Sequence, residues 1–358
     1  MIKVLVVDDS AFMRKTLSML LNEAPDVEVI DTAVDGLEAL EKVKQLKPDV
    51  ITLDIEMPRM DGLTALREIM QHHPTPVVMV SSLTQEGARE TIRALELGAV
   101  DFIPKQFSFV SLDVSNIKQQ LIQKIRAAAN SRLSIIQKKL AHLTRPETSR
   151  PSSAGRLFTF PQAKIITVGI STGGPLSLQK MISHLPGDFP VPIAIVQHMP
   201  PNFTRSLAER LNGVSRITVV EAQEGMEVRP HTVYIAQGGK HLHFIRRGTG
   251  VYCHLSDRPE NTFFKPSVDE LFFSAAEVYG RNIIGIVMTG MGKDGLEGSR
   301  RIKSLGGKIV AQDATTSVVY GMPRAVAEAN LADAILPLEQ IAPALTHILG
   351  LRAAVAAH

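Results

Sequence analysis

The sequence predicts an α/β protein of two doubly wound domains with mostly parallel sheets, the second with an inserted antiparallel hairpin region. Two observations predict this fold class. Short apolar runs alternate strictly with amphipathic segments, as strands and helices do in a doubly wound sheet. The strand runs are apolar throughout, which is typical of parallel strands covered on both faces. A chain of 358 residues is long enough for two domains of ordinary size.

The first series of runs predicts a domain over residues 1–125. It begins with an apolar strand at Ile2–Val7 and an amphipathic helix at Phe12–Leu21. The other predicted strands are Val27–Thr32, Val50–Leu53, Val77–Val80 and Val100–Ile103. The helices between them are Leu37–Leu46, Leu63–Met70 and Gln85–Leu97.

Residues 126–162 are predicted to be a helical extension and a linker. A helical pattern covers Val114–Leu143, and a Pro- and Ser-rich stretch follows at Thr144–Gly155. This stretch has no apolar periodicity, which indicates a linker between two domains.

The second series predicts a domain over residues 163–350. Its predicted strands are Lys164–Gly169, Ile193–Gln197, Ile217–Val220, Ile283–Met288 and Ile309–Ala311. Its predicted helices lie near Pro175–His184, Asn202–Leu211, Ser267–Tyr279 and Asp294–Leu305. Between Val233 and Leu255 the runs become short and are broken by glycines, which predicts one or two antiparallel hairpins.

Composition excludes several classes of protein. A formal net charge of +3 is too small for a nucleic-acid-binding surface, so no nucleic-acid partner is expected. The one cysteine, Cys253, allows no intramolecular disulfide, which fits a reducing compartment. Asp8 and Asp9 interrupt the first apolar run, unlike a signal peptide, and no run is long enough to span a bilayer. We therefore expect a cytoplasmic protein without membrane insertion.

Polar residues at successive strand ends of the first domain predict a phosphoryl site. Asp8 and Asp9 follow the first strand and Asp54 follows the third. In a doubly wound sheet these ends meet at the ligand-binding crevice. Three carboxylates there would repel one another without a cation, and such oxygen ligands suit Mg²⁺. Ser81 and Lys105, at later strand ends, supply a hydroxyl and an ammonium for phosphoryl oxygens. Any one of these positions alone would be ordinary for a strand end.

With these residues in order, the segment from Met1 to about Ile125 resembles the receiver domain of two-component response regulators. The resemblance implies that Asp54 accepts a phosphoryl group from a histidine kinase. It also implies that Asp8 and Asp9 hold Mg²⁺ with Asp54, and that Glu56 lends a backbone carbonyl to the metal.

The same resemblance implies roles for three further residues of the first domain. Ser81 and Phe102 would be the switch residues that respond to phosphorylation. Lys105 would be the partner of the phosphoryl group.

Three residues of the second domain predict hydrolytic chemistry. Ser171 lies in Gly169-Ile-Ser-Thr-Gly173, which matches the turn that presents a serine nucleophile, although such a turn can also cradle a phosphate. His198 closes the strand Ile193–Gln197 and is the best-placed base among 11 histidines. Asp294 lies in a glycine-rich loop after another strand, where it would orient the imidazole or simply cap a helix. The order Ser–His–Asp differs from that of α/β-hydrolases, so the triad is expected to be a convergent one.

From about Ala163 to Leu349 the chain resembles the catalytic domain of chemotaxis protein-glutamate methylesterases. The matching stretches are Gly169-Ile-Ser-Thr-Gly-Gly-Pro, Val196-Gln-His-Met-Pro-Pro-Asn-Phe, Tyr234-Ile-Ala-Gln-Gly-Gly-Lys-His-Leu, Lys265-Pro-Ser-Val-Asp and Met288-Thr-Gly-Met-Gly-Lys-Asp-Gly. The resemblance implies hydrolysis of glutamate γ-methyl esters on methyl-accepting chemoreceptors and deamidation of receptor glutamines, with no cofactor for the esterase. It also implies that the Met291 backbone N–H helps to form the oxyanion hole and that Thr172 supports the site.

Three alternatives stay open at the level of sequence. His241, His243, Cys253 and His254 are zinc-capable ligands in the hairpin region, although their spacing matches no familiar zinc pattern. The second domain could bind a partner without catalysis. A methylesterase could also serve a sensory array that is not concerned with motility.

Overall fold

A computed structural model describes residues 1–105, 114–131, 157–260 and 262–351. The chain divides into two compact units, Met1–Arg145 and Pro146–His358. Within the described residues, no helix combines the length and the apolar character that crossing a membrane requires.

The first unit is a parallel five-stranded sheet with its helices on both faces. The strands are β1 (Ile2–Val7), β2 (Val27–Ala33), β3 (Val50–Asp54), β4 (Val77–Ser81) and β5 (Asp101–Pro104), and the helices are α1 (Ala11–Asn22), α2 (Gly36–Leu46), α3 (Gly62–His72), α4 (Gln85–Glu96) and α5 (Val114–Ala129). The helix α5 ends at Ala129, whereas the pattern predicted a helix as far as Leu143. Residues 132–156, with most of the expected extension and linker, lie outside the described residues.

The strand order β2-β1-β3-β4-β5 places a topological switch point between β1 and β3. The chain winds outward from β1 in one direction and returns on the other side through β3, so the loops after these two strands diverge and leave a crevice. Side chains of β3 and β4 are buried along their full length, as their apolar sequences predicted. The crevice therefore lies at the ends of β1 and β3, where Asp8 and Asp54 are placed.

The second unit has a seven-stranded parallel sheet and a separate two-stranded antiparallel hairpin. Its strands are β6 (Ile165–Ile170), β7 (Ile193–Gln197), β8 (Thr218–Glu221), β9 (Thr232–Ile235), β10 (His241–Arg247), β11 (Gly250–Ser256), β12 (Ile283–Val287), β13 (Lys308–Gln312) and β14 (Ala334–Leu336). Its helices are α6 (Gly174–Ser183), α7 (Phe203–Val214), α8 (Val268–Tyr279), α9 (Leu296–Ser304), α10 (Met322–Glu328) and α11 (Leu338–Ile348).

The hairpin of β10 and β11 packs on α8, but the hairpin region is shorter than predicted. Thr232–Ile235, which includes Val233, pairs in parallel with both β7 and β8 and so belongs to the main sheet. Because β9 lies between two other strands, its last three residues are buried. The hairpin itself joins the core through Phe244 and Cys253, whose side chains pack with Phe272 of α8.

The order β14-β13-β12-β6-β7-β9-β8 places β6 at the centre, between β12 and β7. The chain moves outward from β6 through β7 and later returns to the other side of β6 through β12. This second switch point brings the loops after β6, β7 and β12 to one sheet edge.

Two candidate active sites

The loops after β1, β3 and β5 bring a carboxylate cluster and a lysine together. Oxygens of Asp8, Asp9 and Asp54 lie within 4.8 Å of one another. Asp8 and Asp54 are buried, whereas Asp9 is exposed. Lys105 Nζ lies 2.6 Å from Asp54 Oδ2 and 3.1 Å from Asp8 Oδ2. Four of the residues predicted for the phosphoryl site therefore form one cluster.

Burial and like charge control the protonation of this cluster. Burial, together with the nearby charge of Asp8, raises the pKa of Asp54 to about 6 even though Lys105 opposes the shift. Burial would lower the pKa of Lys105, but the carboxylates of Asp54 and Asp8 outweigh it and raise that pKa. The lysine therefore remains charged and is held between the two buried carboxylates.

The chemistry of the donor atoms fits a hard divalent cation. Among the described residues, Asp8 Oδ2 is a buried oxygen with no hydrogen bond of good geometry, and its neighbours Asp9 and Asp54 also present carboxylates. Carboxylates with an open side toward solvent suit Mg²⁺, which keeps several water ligands. Glu56 lies two residues beyond Asp54 with an exposed side chain, and its carbonyl as a ligand stays a prediction.

The two expected switch residues have other partners in this structure. The Ser81 hydroxyl donates to the Gly87 carbonyl at 3.1 Å and accepts from the Thr91 hydroxyl at 2.7 Å, so it is bound to α4. The Phe102 ring is buried, with Lys124 Nζ 5.1 Å from its centroid. In this structure the side chains of Ser81 and Phe102 are bound elsewhere and not to the carboxylates of the cluster.

The loops after β6 and β7 place a serine beside a histidine. Ile170 is paired with Gln197 in the sheet, so Ser171 and His198 leave neighbouring strands at the same level. The backbone N–H of His198 also donates to the Ile170 carbonyl at 3.2 Å. The turn after Ser171 passes through Gly173 at φ 76°, the left-handed region that glycine adopts readily. The Gln197 amide fixes the turn by donating to the Ser171 carbonyl at 3.0 Å.

Asp294 binds the other side of the histidine. Its Oδ2 accepts from His198 Nε2 at 2.8 Å and from the Val268 N–H at 2.8 Å. Its Oδ1 accepts from the Ser267 hydroxyl and from the Asp269 N–H, each at 3.0 Å. Asp294 therefore caps the N-terminus of α8, whereas the sequence alternative placed it at the start of the helix that follows it. The predicted Ser–His–Asp residues are brought to one sheet edge.

These partners keep the Asp294 carboxylate ionised. Burial would raise its pKa, but the hydrogen bond and charge of His198, with the N–H groups of Val268 and Asp269, outweigh that effect and hold the pKa at about 2. A permanently charged carboxylate can orient the imidazole and stabilise its cation.

The second nitrogen of His198 is available as a base. Within the described residues His198 Nδ1 is buried and has no hydrogen-bond partner, so no bond to the Ser171 hydroxyl is formed. Such bonds are often long before substrate binds. The opposite nitrogen faces Asp294, and the Phe264 ring stacks on the imidazole at 3.9 Å between centroids and 10° between planes.

The loop after β12 approaches the serine closely. A Cβ on Gly290 would lie 2.8 Å from Ser171 Cβ, so only glycine allows this approach. The Ser171 N–H donates to the Thr289 carbonyl at 3.0 Å, and the Thr289 hydroxyl donates to the Thr172 carbonyl at 2.9 Å. Met291 directly follows Gly290 and so lies near the nucleophile. Its N–H as an oxyanion donor, with Thr172 in support, stays a prediction.

Sequence reasoning missed several residues of this site. Ser267 had a detectable signal, because it was the first residue of a predicted helix and serine is a preferred N-cap. Phe264, Gln197 and Thr289 had none, since their roles depend on contacts between distant segments of the chain.

The zinc alternative finds no support in the described part of the chain. There, the carboxylate cluster of Asp8, Asp9 and Asp54 is the only group of three ligand side chains close enough to hold a metal ion. Cys253 packs into the core opposite Phe244, whereas His243 and His254 form a different cross-strand pair.

Each of the two units is similar to a known protein family. Residues 166–345 match the CheB methylesterase family and residues 4–115 match the response regulator receiver domain family. A protein of Oleidesulfovibrio alaskensis named protein-glutamate methylesterase/protein-glutamine glutaminase 1 is 48% identical, over 96% of this chain and 98% of its own. A Thermotoga maritima protein named protein-glutamate methylesterase/protein-glutamine glutaminase is 47% identical, over 95% and 96%. The crystal structure of the Thermotoga maritima CheB methylesterase catalytic domain is 45% identical with a TM-score of 0.51, covering 52% of this chain and 98% of that domain.

Proposed function

This chain belongs to the CheB methylesterase family and carries a response regulator receiver domain, and on that premise we propose that Ser171, His198 and Asp294 hydrolyse glutamate γ-methyl esters and glutamine side chains of chemoreceptors. The activity is controlled by phosphorylation of the receiver. The observation that carries the triad is the 2.8 Å bond between His198 Nε2 and Asp294 Oδ2, made where His198 and Ser171 leave paired strands.

The reaction proceeds by two acyl transfers. Ser171 Oγ attacks the γ-carbonyl carbon while His198 Nδ1 takes the hydroxyl proton. The tetrahedral intermediate collapses, methanol leaves with that proton, and a γ-glutamyl ester of Ser171 remains. Water then attacks this ester as His198 takes one proton from the water. The second collapse returns that proton to Ser171 and releases glutamic acid, which loses its remaining proton to solvent as the carboxylate. A glutamine substrate follows the same steps and releases ammonia.

The oxyanion of each intermediate requires N–H donors, and we place one of them in the loop after β12. Met291 is the proposed donor because Gly290 brings the backbone of this loop against Ser171. Thr289 fixes the loop against the turn that carries Ser171. Its carbonyl accepts from the Ser171 N–H, and its hydroxyl donates to the Thr172 carbonyl. Thr172 supports the site through its carbonyl in this contact.

The receiver is proposed to accept its phosphoryl group on Asp54 from a histidine kinase. Mg²⁺, when bound by Asp8, Asp9, Asp54 and the Glu56 carbonyl, supplies positive charge that offsets the carboxylates and orients phosphoryl oxygens. A phosphoryl group adds close to two negative charges. Lys105 would then exchange its carboxylate partner for a phosphoryl oxygen.

The Ser81 hydroxyl couples this event to α4. Its proton is donated to the Gly87 carbonyl in this structure, so donating to a phosphoryl oxygen requires it to leave that partner. Phe102 would repack with it. Such a change in the receiver surface can alter the activity of a covalently joined domain, because the joined domains stay at high effective concentration.

The protein is proposed to act in the cytoplasm, where kinase and receptor signalling domains meet it. The decisive experiment measures methanol release from membranes holding methylated chemoreceptors, with and without a small phosphodonor. Release that depends on Ser171 and rises with the phosphodonor supports the proposal. Turnover of these esters by Ser171→Ala at the wild-type rate would overturn the triad.

A further inference from the structure

His241, set aside as a zinc ligand, has a defined place behind the triad. It opens β10 and its side chain is 0% exposed. Its Nδ1 accepts from the Ser267 N–H at 3.3 Å. Its Nε2 lies 3.2 Å from the Pro259 carbonyl and 3.2 Å from the Thr262 hydroxyl.

These partners define the protonation state of the ring. An amide N–H can only donate, so Nδ1 must be the unprotonated nitrogen. A carbonyl can only accept, so Nε2 must carry the proton and donate to Pro259. The imidazole is therefore neutral, in one tautomer. Burial, which disfavours the charged form, also lowers the pKa of His241.

One nitrogen of His241 binds Pro259 and Thr262, and the other binds Ser267. Between Thr262 and Ser267, Phe264 stacks on the His198 imidazole. Ser267 donates through its hydroxyl to Asp294 Oδ1 at 3.0 Å. His241 thus binds the backbone of Ser267, the residue whose hydroxyl binds Asp294.

We infer that His241 is a positioning residue for the hydrolytic triad, acting through Ser267 on Asp294. This inference rests on the proposed function of the triad. Without its bond to His241, Ser267 is less constrained at the N-terminus of α8. The Asp294 carboxylate, which Ser267 binds, then shifts with Ser267. A misplacement of about 1 Å can reduce a rate about 100-fold.

Three substitutions test the inference, because each removes a different set of hydrogen bonds of the His241 ring. His241→Asn places an amide oxygen near Nδ1 and keeps the acceptor for Ser267. His241→Gln places an amide near Nε2 and loses that acceptor. His241→Leu removes both. The matched control is His243→Gln, two residues along the same strand, where the ring faces Glu270 at 3.3 Å instead.

The assay is methanol release by the full-length protein, with kcat calculated per native molecule from the native fraction measured by thermal unfolding. We expect kcat to fall about 10–100-fold in His241→Leu and His241→Gln at unchanged KM, and to stay within about threefold of wild type in His241→Asn and His243→Gln. A role in stability alone would lower the native fraction without changing kcat per native molecule.

The contradicting results are equally specific. If His241→Gln turns over at the wild-type rate, or His241→Asn is as slow as His241→Gln, the bond to Ser267 does not position the triad. Should His241→Leu fail to fold, the Asn and Gln variants alone decide. Wild type and Ser171→Ala are run alongside: if they release methanol equally, the proposed triad has failed, which is a different outcome from a failure of His241.

Discussion

Replacing Asp294 by asparagine tests the triad most directly, because the structure defines what each of its oxygens binds. Four donors converge on this carboxylate: two on Oδ2, from His198 and Val268, and two on Oδ1, from Ser267 and Asp269. An amide offers one accepting oxygen and one donating NH₂ group. The side chain of the Asp294→Asn variant therefore cannot satisfy all four donors in either orientation.

The first orientation of the amide places its NH₂ group toward His198. Nε2 must then accept, so the ring proton moves to Nδ1 and blocks the nitrogen that would act as base. A wrong tautomer of this kind reduces kcat about 10⁴-fold in serine proteases. The second orientation places NH₂ toward Ser267, whose hydroxyl can rotate to accept it. The tautomer is kept, but the imidazolium loses its counter-charge, which costs about 1–2 kcal/mol, or roughly 5–30-fold.

Each orientation also leaves one N–H group of α8 facing another donor. A buried unsatisfied donor costs about 1–3 kcal/mol. We therefore expect Asp294→Asn to unfold at a lower temperature and to lose about tenfold to 10⁴-fold in kcat with little change in KM. Initial rates of methanol release against substrate concentration, with melting curves for the same samples, measure both effects.

Asp269→Asn is the matched control, since it makes the same chemical change on the adjacent carboxylate. Asp269 Oδ1 accepts from the Gly298 N–H at 2.7 Å and so caps α9, without binding His198. We expect its kcat within about threefold of wild type. A kcat for Asp294→Asn that matches wild type, or that matches Asp269→Asn, would refute the role of Asp294 in orienting the base.

Four further predictions follow from the two sites. Ser171→Ala should fold normally and lose up to about 10⁶-fold in methyl-ester hydrolysis, measured as methanol release; turnover close to wild type would exclude it as nucleophile. Glutamine deamidation should be slower than ester hydrolysis because ammonia is the poorer leaving group, and a one-dalton mass shift of receptor fragments should reveal it; no shift after long incubation would contradict it. The fragment that begins near Gln162 should be about 5–150-fold faster than the unphosphorylated full-length chain, whereas Asp54→Asn should keep basal activity and ignore a phosphodonor; a fragment no faster than the full chain would exclude inhibition by the receiver. Burial raises the pKa of Asp269 from 3.8 to about 6, so the folded state holds this proton more tightly than the unfolded state. Its contribution to stability is then largest at low pH and is lost as pH rises from about 4 to about 6, and melting temperatures of Asp269→Asn should lack this part of the pH dependence; identical pH profiles would argue against the raised pKa.

The sequence was sufficient for the fold class and for locating polar residues at several strand ends. Buried parallel strands are continuously apolar, and such a local pattern can be recognised in the sequence alone. The ends of β1, β3, β6 and β7 could be located to within a residue or two, and the topology of doubly wound sheets then places polar residues that follow such strands at one edge. For that reason the sequence alone places Asp8, Asp54, Ser171 and His198 at these edges.

One strand of the second domain was assigned to the wrong sheet, and three elements that follow β13 were not predicted. The strand β9 was assigned to the hairpin region, since its four residues carry no local sign of which sheet they join. The short strand β14 and the helices α10 and α11 were not predicted. Their placement depends on packing against β12, β13 and α6. Contacts between distant segments of the chain leave no repeating pattern in the sequence.

Only the tertiary structure decided how the triad is held. The sequence offered Asp294 as the cap of the helix directly after it, yet the carboxylate caps α8, which begins with Val268. No local rule could show this, because a hydrogen bond between loops that are far apart in the chain depends on the folded positions of both. The same holds for Phe264 on His198 and for His241 behind Ser267: the sequence determined which chemical groups are available, and the packing of α8 against the hairpin and the sheet determined which of them meet.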